Sequence, residues 1–310
     1  MKVLITGGAG FIGSHLADRF IQEGHSVVVV DNLATGKKKN LNPQAEFYKV
    51  DILSPKLEKV IRKERPDLIS HHAAQMDVRR SVADPLFDAQ VNILGFLNVL
   101  ENAVRYSTRK VIFASSGGAV YGEQETFPAT ESHPVQPVSP YGISKLAGEK
   151  YLHYYQKAAG ISYVALRYAN VYGPRQDPFG EAGVVAIFSQ KTLLNEQPVI
   201  YGNGKQTRDY VFVEDVVEAH MAASEDGIQG VFNVGTGVET SVNHLFKNLV
   251  EITGSTVKEM YGPERRGEQL RSSLDASRLN KATEWKADHT LKAGLEKTVD
   301  FFKTSLNIPG

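Results

Sequence analysis

Tyr141 and Lys145, in Tyr141-Gly142-Ile143-Ser144-Lys145, form a pair whose types and spacing could do chemistry. A phenol beside an ammonium can exchange a proton with an alcohol, because a nearby positive charge favours the phenolate. The pair functions only if both side chains share a face. Ser139 followed by Pro140 makes an N-cap and first-turn pair, so a helix is expected to begin there. Residues four apart then lie on one helix face. Tyr141 is therefore the expected general base for an alcohol being oxidised, with Lys145 as its partner. This spacing also arises on ordinary protein surfaces, so its weight comes from what precedes it.

An alcohol oxidation needs an acceptor, and the N-terminus offers a place for one. Met1-Lys2-Val3-Leu4-Ile5-Thr6-Gly7-Gly8-Ala9-Gly10-Phe11-Ile12-Gly13 reads as strand, glycine turn and helix start. Gly7 would allow the tight turn, Gly10 close approach of a pyrophosphate, and Gly13 close helix–strand packing, with phosphates on the N–H groups around Phe11 and Ile12. The spacing is GxxGxxG, one residue from the GxGxxG dinucleotide fingerprint. A second run, Val27-Val28-Val29-Val30, ends in Asp31. An acid there can accept from a ribose 2′-hydroxyl and repel a 2′-phosphate, which favours NAD over NADP. Lys37-Lys38-Lys39 pulls the other way, although loop lysines are usually solvated. An oxidised nicotinamide would add a second positive charge near Tyr141.

Composition excludes several other functions. Lys+Arg and Asp+Glu both number 35, so no net charge argues for nucleic acid or a membrane surface. There is no cysteine, hence no disulfide, thiolate zinc site or cysteine nucleophile. No run of about 18 apolar residues reads as a membrane span, and the first residues do not read as a signal peptide. The cytoplasm is the expected compartment. No GxSxG elbow supports serine hydrolase chemistry. His71 and His72, adjacent on an expected strand, point to opposite faces, so a shared metal site is not expected. Met76, Phe96 and Phe113 are expected in cores.

The elements that would position these residues alternate. Strand-like runs occupy 2–6, 26–30, 46–50, 67–71, 110–114 and 162–166, and helix-like segments lie near 11–23, 55–64, 84–106 and 140–159. Such alternation implies an α/β, doubly wound parallel-sheet Rossmann domain with helices on both faces. From Tyr172 the pattern loosens into a glycine- and proline-rich stretch, the kind of long loop that often carries function. Strand-like 208–213 and 231–234 are expected to rejoin the sheet. The expected division is a nucleotide domain over 1–170, joined by segments near 206–236, and a smaller mixed α/β cap built from 171–205 and 237–310.

Thr6-Gly7-Gly8-Ala9-Gly10-Phe11-Ile12-Gly13 together with Tyr141 and Lys145 resembles the extended short-chain dehydrogenase/reductase family. Further motifs resemble its NAD-dependent nucleotide-sugar epimerase branch, most of all the UDP-glucose (UDP-galactose) 4-epimerases. The resemblance covers nearly the whole chain. It runs through Asp31-Asn32-Leu33-Ala34-Thr35-Gly36, Asp51-Ile52, His72-Ala73-Ala74-Gln75, Asn92, Arg167-Tyr168-Ala169-Asn170, Arg208-Asp209-Tyr210-Val211, Phe232-Asn233-Val234-Gly235, Arg265-Arg266-Gly267-Glu268 and Asp275-Ala276-Ser277-Arg278. It implies that Asn32, Thr35 and Gly36 form the loop beside the cofactor and that Asp51 and Ile52 meet adenine. It places Ala73, Ala74, Gln75 and Asn92 along the pyrophosphate and ribose. It implies that Arg208 and Arg265 clamp a sugar-nucleotide diphosphate, a role guanidinium groups suit well. Asn170 would bond near that diphosphate, and Tyr201, two residues after Val199, would sit by the uracil. Ser272, where a bulky residue would close the pocket around C2, implies room for N-acetylated sugars. Many relatives dimerise through two helices per subunit, which makes a homodimer through 84–106 and 140–159 the expectation.

One departure bears on catalysis. The epimerase pattern has Ser or Thr three residues before Val-Tyr-Gly, sharing the sugar hydroxyl's proton with the tyrosine. In Ser115-Ser116-Gly117-Gly118-Ala119-Val120-Tyr121-Gly122 that position is Gly117. Either Ser116 reaches in, or Tyr141 works without that hydroxyl, through water. Ser115 is expected to bond within the strand end. Sugar 4,6-dehydratases and decarboxylating relatives need an acid just before Val-Tyr-Gly, and Gly118 and Ala119 provide none. The resemblance therefore implies reversible inversion at C4 of a UDP-hexose through bound NAD and a 4-keto intermediate. The other readings are a UDP-glucuronate or UDP-N-acetylglucosamine 4-epimerase, and a non-catalytic NAD or nucleotide-sugar sensor.

Overall fold

The computed structural model describes residues 1–179, 183–264 and 269–308. In chain order its strands are β1 (Lys2–Thr6), β2 (Ser26–Asp31), β3 (Glu46–Lys49), β4 (Leu68–His71), β5 (Lys110–Ser116) and β6 (Ser162–Tyr168). They continue with β7 (Asn170–Tyr172), β8 (Ile200–Tyr201), β9 (Thr207–Phe212), β10 (Gly230–Val234), β11 (Glu239–Ser241) and β12 (Tyr261–Gly262). Seven of these form one sheet in the order β10-β6-β5-β4-β1-β2-β3. Every pairing in it is parallel.

The valine run explains why this sheet is buried on both faces. Val27 and Val29 join Val3 and Ile5 in one core, while Val28 and Val30 join Leu4 in the other. Strand side chains alternate, so a continuous apolar run needs a cover on each side. On the first face that cover is α1 (Phe11–Gln22), through Leu16, Ala17 and Phe20. On the second it is α2 (Lys56–Glu64), through Leu57, Val60 and Ile61. Each such aliphatic side chain contributes roughly 1.5–3 kcal/mol on burial.

The segment expected as one helix near 84–106 is more divided. α3 (Val78–Ala83) and α4 (Pro85–Ala89) lead through a π-helical turn, Gln90–Leu94, into α5 (Gly95–Arg105). Asp77 and Asp84 cap α3 and α4 by accepting from Arg80 N and Phe87 N. The π turn, a widening common at functional sites, contains Asn92. After β5 comes the single turn α6 (Gly117–Val120), and then α7 (Pro140–Ala159) lies along β5 and β6.

Beyond β6 the chain builds a second layer. α8 (Val184–Leu193), α9 (Val213–Ser224), α10 (Val242–Thr253), α11 (Ser277–Thr283) and α12 (Leu291–Ser305) follow in order. Residues 231–234 do rejoin the main sheet, as part of β10 beside β6. Residues 208–212 do not: they lie in β9, in a separate three-stranded sheet between β7 and β11. The physical reason is occupancy, since β10 takes the free edge of β6 and β9 pairs instead with β7, two residues past the end of β6. A third core, with Tyr172, Phe188, Phe212, Leu245 and Leu295, unites this sheet with α8, α10 and α12. Phe96 and Phe113 are buried as expected, but Met76 is 54% exposed. It follows Gln75 in the loop after β4, outside any element that could carry it inward.

Candidate active site

The strand order reverses between β1 and β4, which opens a crevice beyond their carboxyl ends. Its floor is the glycine turn. Gly7 has φ +72°, and a Cβ there would lie 2.6 Å from Ala73 N; a Cβ on Gly13 would lie 2.4 Å from Gly7 O. The turn is thus wedged against the backbone that leaves β4, and α1 against the turn. Gly10 N donates to Gly7 O at 3.0 Å. α1 starts at Phe11 and Ile12 with no side-chain cap and no acid in its first turn. Such a start suits an anion, through its N–H groups and the positive end of the helix dipole.

Asp31 ends β2 almost fully buried, accepting from Ala9 N at 3.0 Å and Leu33 N at 2.7 Å. A Cβ on Gly36 would come within 2.8 Å of both carboxylate oxygens. The loop therefore needs glycine there to fold over the acid. Asn32 donates to Asp51 at 2.7 Å, Ile52 is buried against Gly95 of α5, and Thr35 is exposed in the intervening loop. Lys37 reaches Asp177 at 3.3 Å, and Lys38 and Lys39 are exposed. An acid fixed at the end of β2, with Lys37 engaged by Asp177, fits NAD.

A hydrogen-bonded hub joins this floor to the reactive pair. Asn92 accepts from Gln75 N at 2.9 Å and donates to Gln75 O at 2.8 Å, which fixes the loop carrying Ala73 and Ala74. Asn92, the Gln75 side chain and Ser144 all donate to the buried carboxylate of Asp88. The sequence reading missed Asp88. Its signal was there: it stands four residues before Asn92, so both point inward from one helical face.

The expected helix start is present. Ser139 Oγ accepts from Gly142 N at 3.1 Å, with Pro140 in the first turn. Lys145 is 4% exposed, donates from Nζ to Ala114 O at 2.9 Å, and lies 5.7 Å from the Tyr141 ring centroid. Burial pulls its ammonium down to about 8, against the opposing pull of the Asp88 charge. Lys145 and an oxidised nicotinamide are together expected to favour the Tyr141 phenolate, and only the first of these belongs to the chain itself. Burial, and then the Asp88 charge, push the phenol well above its usual value, and only a hydrogen bond from Ser116 opposes them. The protein by itself therefore holds Tyr141 as a neutral phenol, and further positive charge is needed to release its proton.

That hydrogen bond answers the question raised by Gly117. Ser116, the cap of α6, is the hydroxyl that lowers the proton affinity of Tyr141. A Cβ on Gly117 would lie 2.4 Å from Leu274 Cδ1, so a serine there requires the Leu274 side chain to move. Ser115 turns away from its own strand end and donates to Glu149 of α7 at 2.6 Å.

Of the later segments, 269–274 packs on the loop after β5. Leu274 touches Gly117, Gln269 donates to Gly122 O, and Thr207 N donates to Leu270 O at 2.9 Å, so 269–274 bridges the loop after β5 and the start of β9. Arg208 follows on β9, with its guanidinium donating to Thr207 O at 2.8 Å. Asn170 pairs with Tyr210 in the register of β7 and β9. Val199 and Tyr201 meet Gly262 where β8 pairs with β12. Ser272 is buried, its hydroxyl 3.5 Å from Gln124 Nε2. Arg265 lies outside the described residues.

Known proteins share this arrangement from end to end. The UDP-glucose 4-epimerase of Mycolicibacterium smegmatis is 45% identical over 98% of this chain and 99% of its own length. The crystal structure of UDP-glucose 4-epimerase with UDP-glucose from Thermotoga maritima superposes with a TM-score of 0.97 at 47% identity, covering 99% of this chain and 100% of that one. A UDP-N-acetylglucosamine 4-epimerase from Methanobrevibacter ruminantium superposes with a TM-score of 0.93 at 37% identity, covering 98% of each chain. Residues 3–235, which hold the glycine turn, Asp31, Ser116, Tyr141 and Lys145, match the NAD dependent epimerase/dehydratase family, and to that family this chain belongs.

Proposed function

We propose that this protein is a UDP-hexose 4-epimerase that interconverts UDP-glucose and UDP-galactose. The observation that carries the reading is the Ser116–Tyr141–Lys145 cluster above the dinucleotide floor, with no carboxylate at Gly118 or Ala119. Dehydration would require proton removal beside a 4-keto group, and neither Gly118 nor Ala119 can perform it.

In this reading the glycine turn, Asp31, Asn32, Thr35, Asp51, Ile52, Ala73, Ala74, Gln75 and Asn92 hold NAD. NAD when bound supplies reversible oxidation at the sugar's C4 and the positive charge that Tyr141 lacks in the protein alone. Tyr141 takes the 4-hydroxyl proton and later returns it, and Ser116 shares that hydrogen bond. Lys145 steadies the phenolate. Arg208 and Arg265 grip the diphosphate, while Asn170, Val199 and Tyr201 hold the nucleotide end, so the 4-ketose can turn without leaving. Ser272 leaves room at C2, which extends the substrates to N-acetylhexosamine forms. The likeness to a UDP-N-acetylglucosamine 4-epimerase supports that extension.

A homodimer completes the reading. Val82, Leu86, Leu94, Ile143, Tyr151 and Tyr154 are exposed on α3, α4, the π turn and α7. Ile143, Tyr151 and Tyr154 share one stripe of α7, the pattern of a helix awaiting a partner. Among the described residues no helix is long and apolar enough to cross a membrane.

Product analysis after incubation with UDP-galactose, without added NAD, tests the proposal. UDP-glucose should appear. Absence of conversion by folded protein, repeated with excess NAD and with UDP-N-acetylgalactosamine, would move the site to a different sugar nucleotide or to a sensor.

A further inference from the structure

Asp88 takes no part in the reaction above, yet it is a fully buried carboxylate beside the reactive pair. Its Oδ1 accepts from Gln75 Nε2 at 3.1 Å and Asn92 Nδ2 at 2.9 Å, and its Oδ2 from Ser144 Oγ at 2.7 Å. All three donors are neutral. A carboxylate out of water needs a compensating positive charge. Ser144 adjoins Lys145 in the sequence, and α4 packs directly on α7. Lys145 is itself buried, and its ammonium donates to a neutral carbonyl, Ala114 O, and lies over the Phe113 and Tyr141 rings. Asp88 and Lys145 thus lie buried on two helices that pack together, and the hydrogen-bond partners of each are neutral.

The geometry points to Asp88 as the positioning residue of this site: it ties α7 to the loop after β4 through Ser144 and Gln75, and it is the counter-charge of the buried Lys145 ammonium. The titratable groups around Lys145 are Asp88 on α4, Tyr141 on α7, and His71 and His72 at the end of β4. Both histidines are held neutral by burial, so Asp88 is the one whose charge favours the ammonium. The same charge opposes ionisation of Tyr141. Asp88 therefore sets the proton affinity of both members of the pair in the same direction. The catalytic half of this inference rests on the proposed epimerase reading; the charge pairing does not.

A double-mutant cycle on thermal stability at pH 7 tests the pairing without reference to any activity. Asp88→Asn and Lys145→Met should each lower the melting temperature, because each strands a buried charge. The double variant should lose clearly less than the sum. Additive losses would overturn the pairing. If Asp88→Asn alone does not fold, adding Lys145→Met should recover folded protein, and failure to do so counts against the inference. The pH profile of kcat tests the catalytic half. Asp88→Asn should move both limbs to lower pH by about one unit, the size expected from removing a nearby charge. Asp88→Glu should keep the wild-type position even where kcat falls. A reduced kcat with an unmoved profile in Asp88→Asn would make Asp88 a scaffold only. Failure of the epimerase reading leaves no turnover to profile, while the stability cycle still reports on the pairing.

Discussion

Leu274 fills the space above Gly117: a Cβ on the glycine would stand 2.4 Å from Leu274 Cδ1. Leu274 is fully buried in a small core with Val120, Tyr121 and Ala129, so it cannot yield without loss of packing. In the proposed reaction the proton-sharing hydroxyl belongs to Ser116, one residue earlier, which accepts from Ala119 N at 3.3 Å as the cap of α6.

This makes the two positions opposite in their response to substitution. Gly117→Ser should destabilise the protein by about 1–3 kcal/mol, the usual cost of overpacking, and should not improve turnover. Ser116→Ala should lower kcat by about 10²-fold and stability by about 1 kcal/mol through the lost cap. Steady-state kinetics and denaturant unfolding of both variants check this. Full activity in Ser116→Ala would mean that Tyr141 works without the hydroxyl.

Tyr141→Phe should abolish nearly all turnover while NAD binding, read by fluorescence titration, stays close to wild type. The phenyl ring keeps its place at the start of α7, whose Ser139 cap and Pro140 are independent of the phenol. The phenol's raised proton affinity in the protein alone adds a pH signature. Phenolate absorbance should be undetectable at neutral pH without cofactor and should grow as NAD is added. Turnover retained in Tyr141→Phe would refute the assigned acid–base role.

How far the sequence reached differs by kind of residue. Five of the six strands before Asn170 were legible because each carries an apolar run closed by a turn, which a parallel sheet buries on both faces; β3, Glu46–Lys49, is a part-exposed edge strand with only Phe47 and Tyr48 apolar. The reactive pair was legible because a helix fixes the relation of residues four apart. Relations across the chain were not. No local pattern announces that β10 takes the edge of β6 and leaves β9 to pair with β7. Met76 is apolar but sits in a loop, so its type misled. The Gly117–Leu274 contact joins segments far apart in sequence, and from glycine alone the lost hydroxyl read as a gap.

Two buried histidines, His71 and His220, and the half-buried His72 should govern acid stability. Burial holds His72 down to about 3 and His71 and His220 well below the usual histidine range. Their unfolded-state value is about 6.5. A group depressed in the folded state lends its full stability above that value and loses it as pH falls toward the folded one. The melting temperature should therefore hold near pH 7 and decline below about pH 6.5, before carboxylates titrate. His220 lies 3.4 Å from Tyr168 OH, and its Nε2 has no hydrogen-bond partner. His220→Leu should flatten the decline between pH 6.5 and 5. An unchanged slope in that variant would assign the acid sensitivity to other groups.

The ion pair of Arg167 and Glu149 joins β6 to α7 beneath the reactive pair. Its two hydrogen bonds run from Nε to Oε1 at 2.9 Å and from Nη2 to Oε2 at 2.6 Å, with both side chains almost fully buried. Ser115 also donates to Oε1, and Arg167 donates to the Tyr121 hydroxyl at 2.9 Å. The same cluster therefore touches β5 next to Ser116 and the loop that follows. Glu149→Gln keeps the shape but leaves the guanidinium without a counter-charge, and should cost roughly 3–5 kcal/mol of unfolding free energy. Arg167→Met with Glu149→Leu, which removes both charges together, should cost clearly less, because neither partner is stranded. Chemical denaturation of the two variants separates the cases. Equal losses would mean that the hydrogen bonds to Ser115 and Tyr121, rather than the paired charges, hold α7 in place.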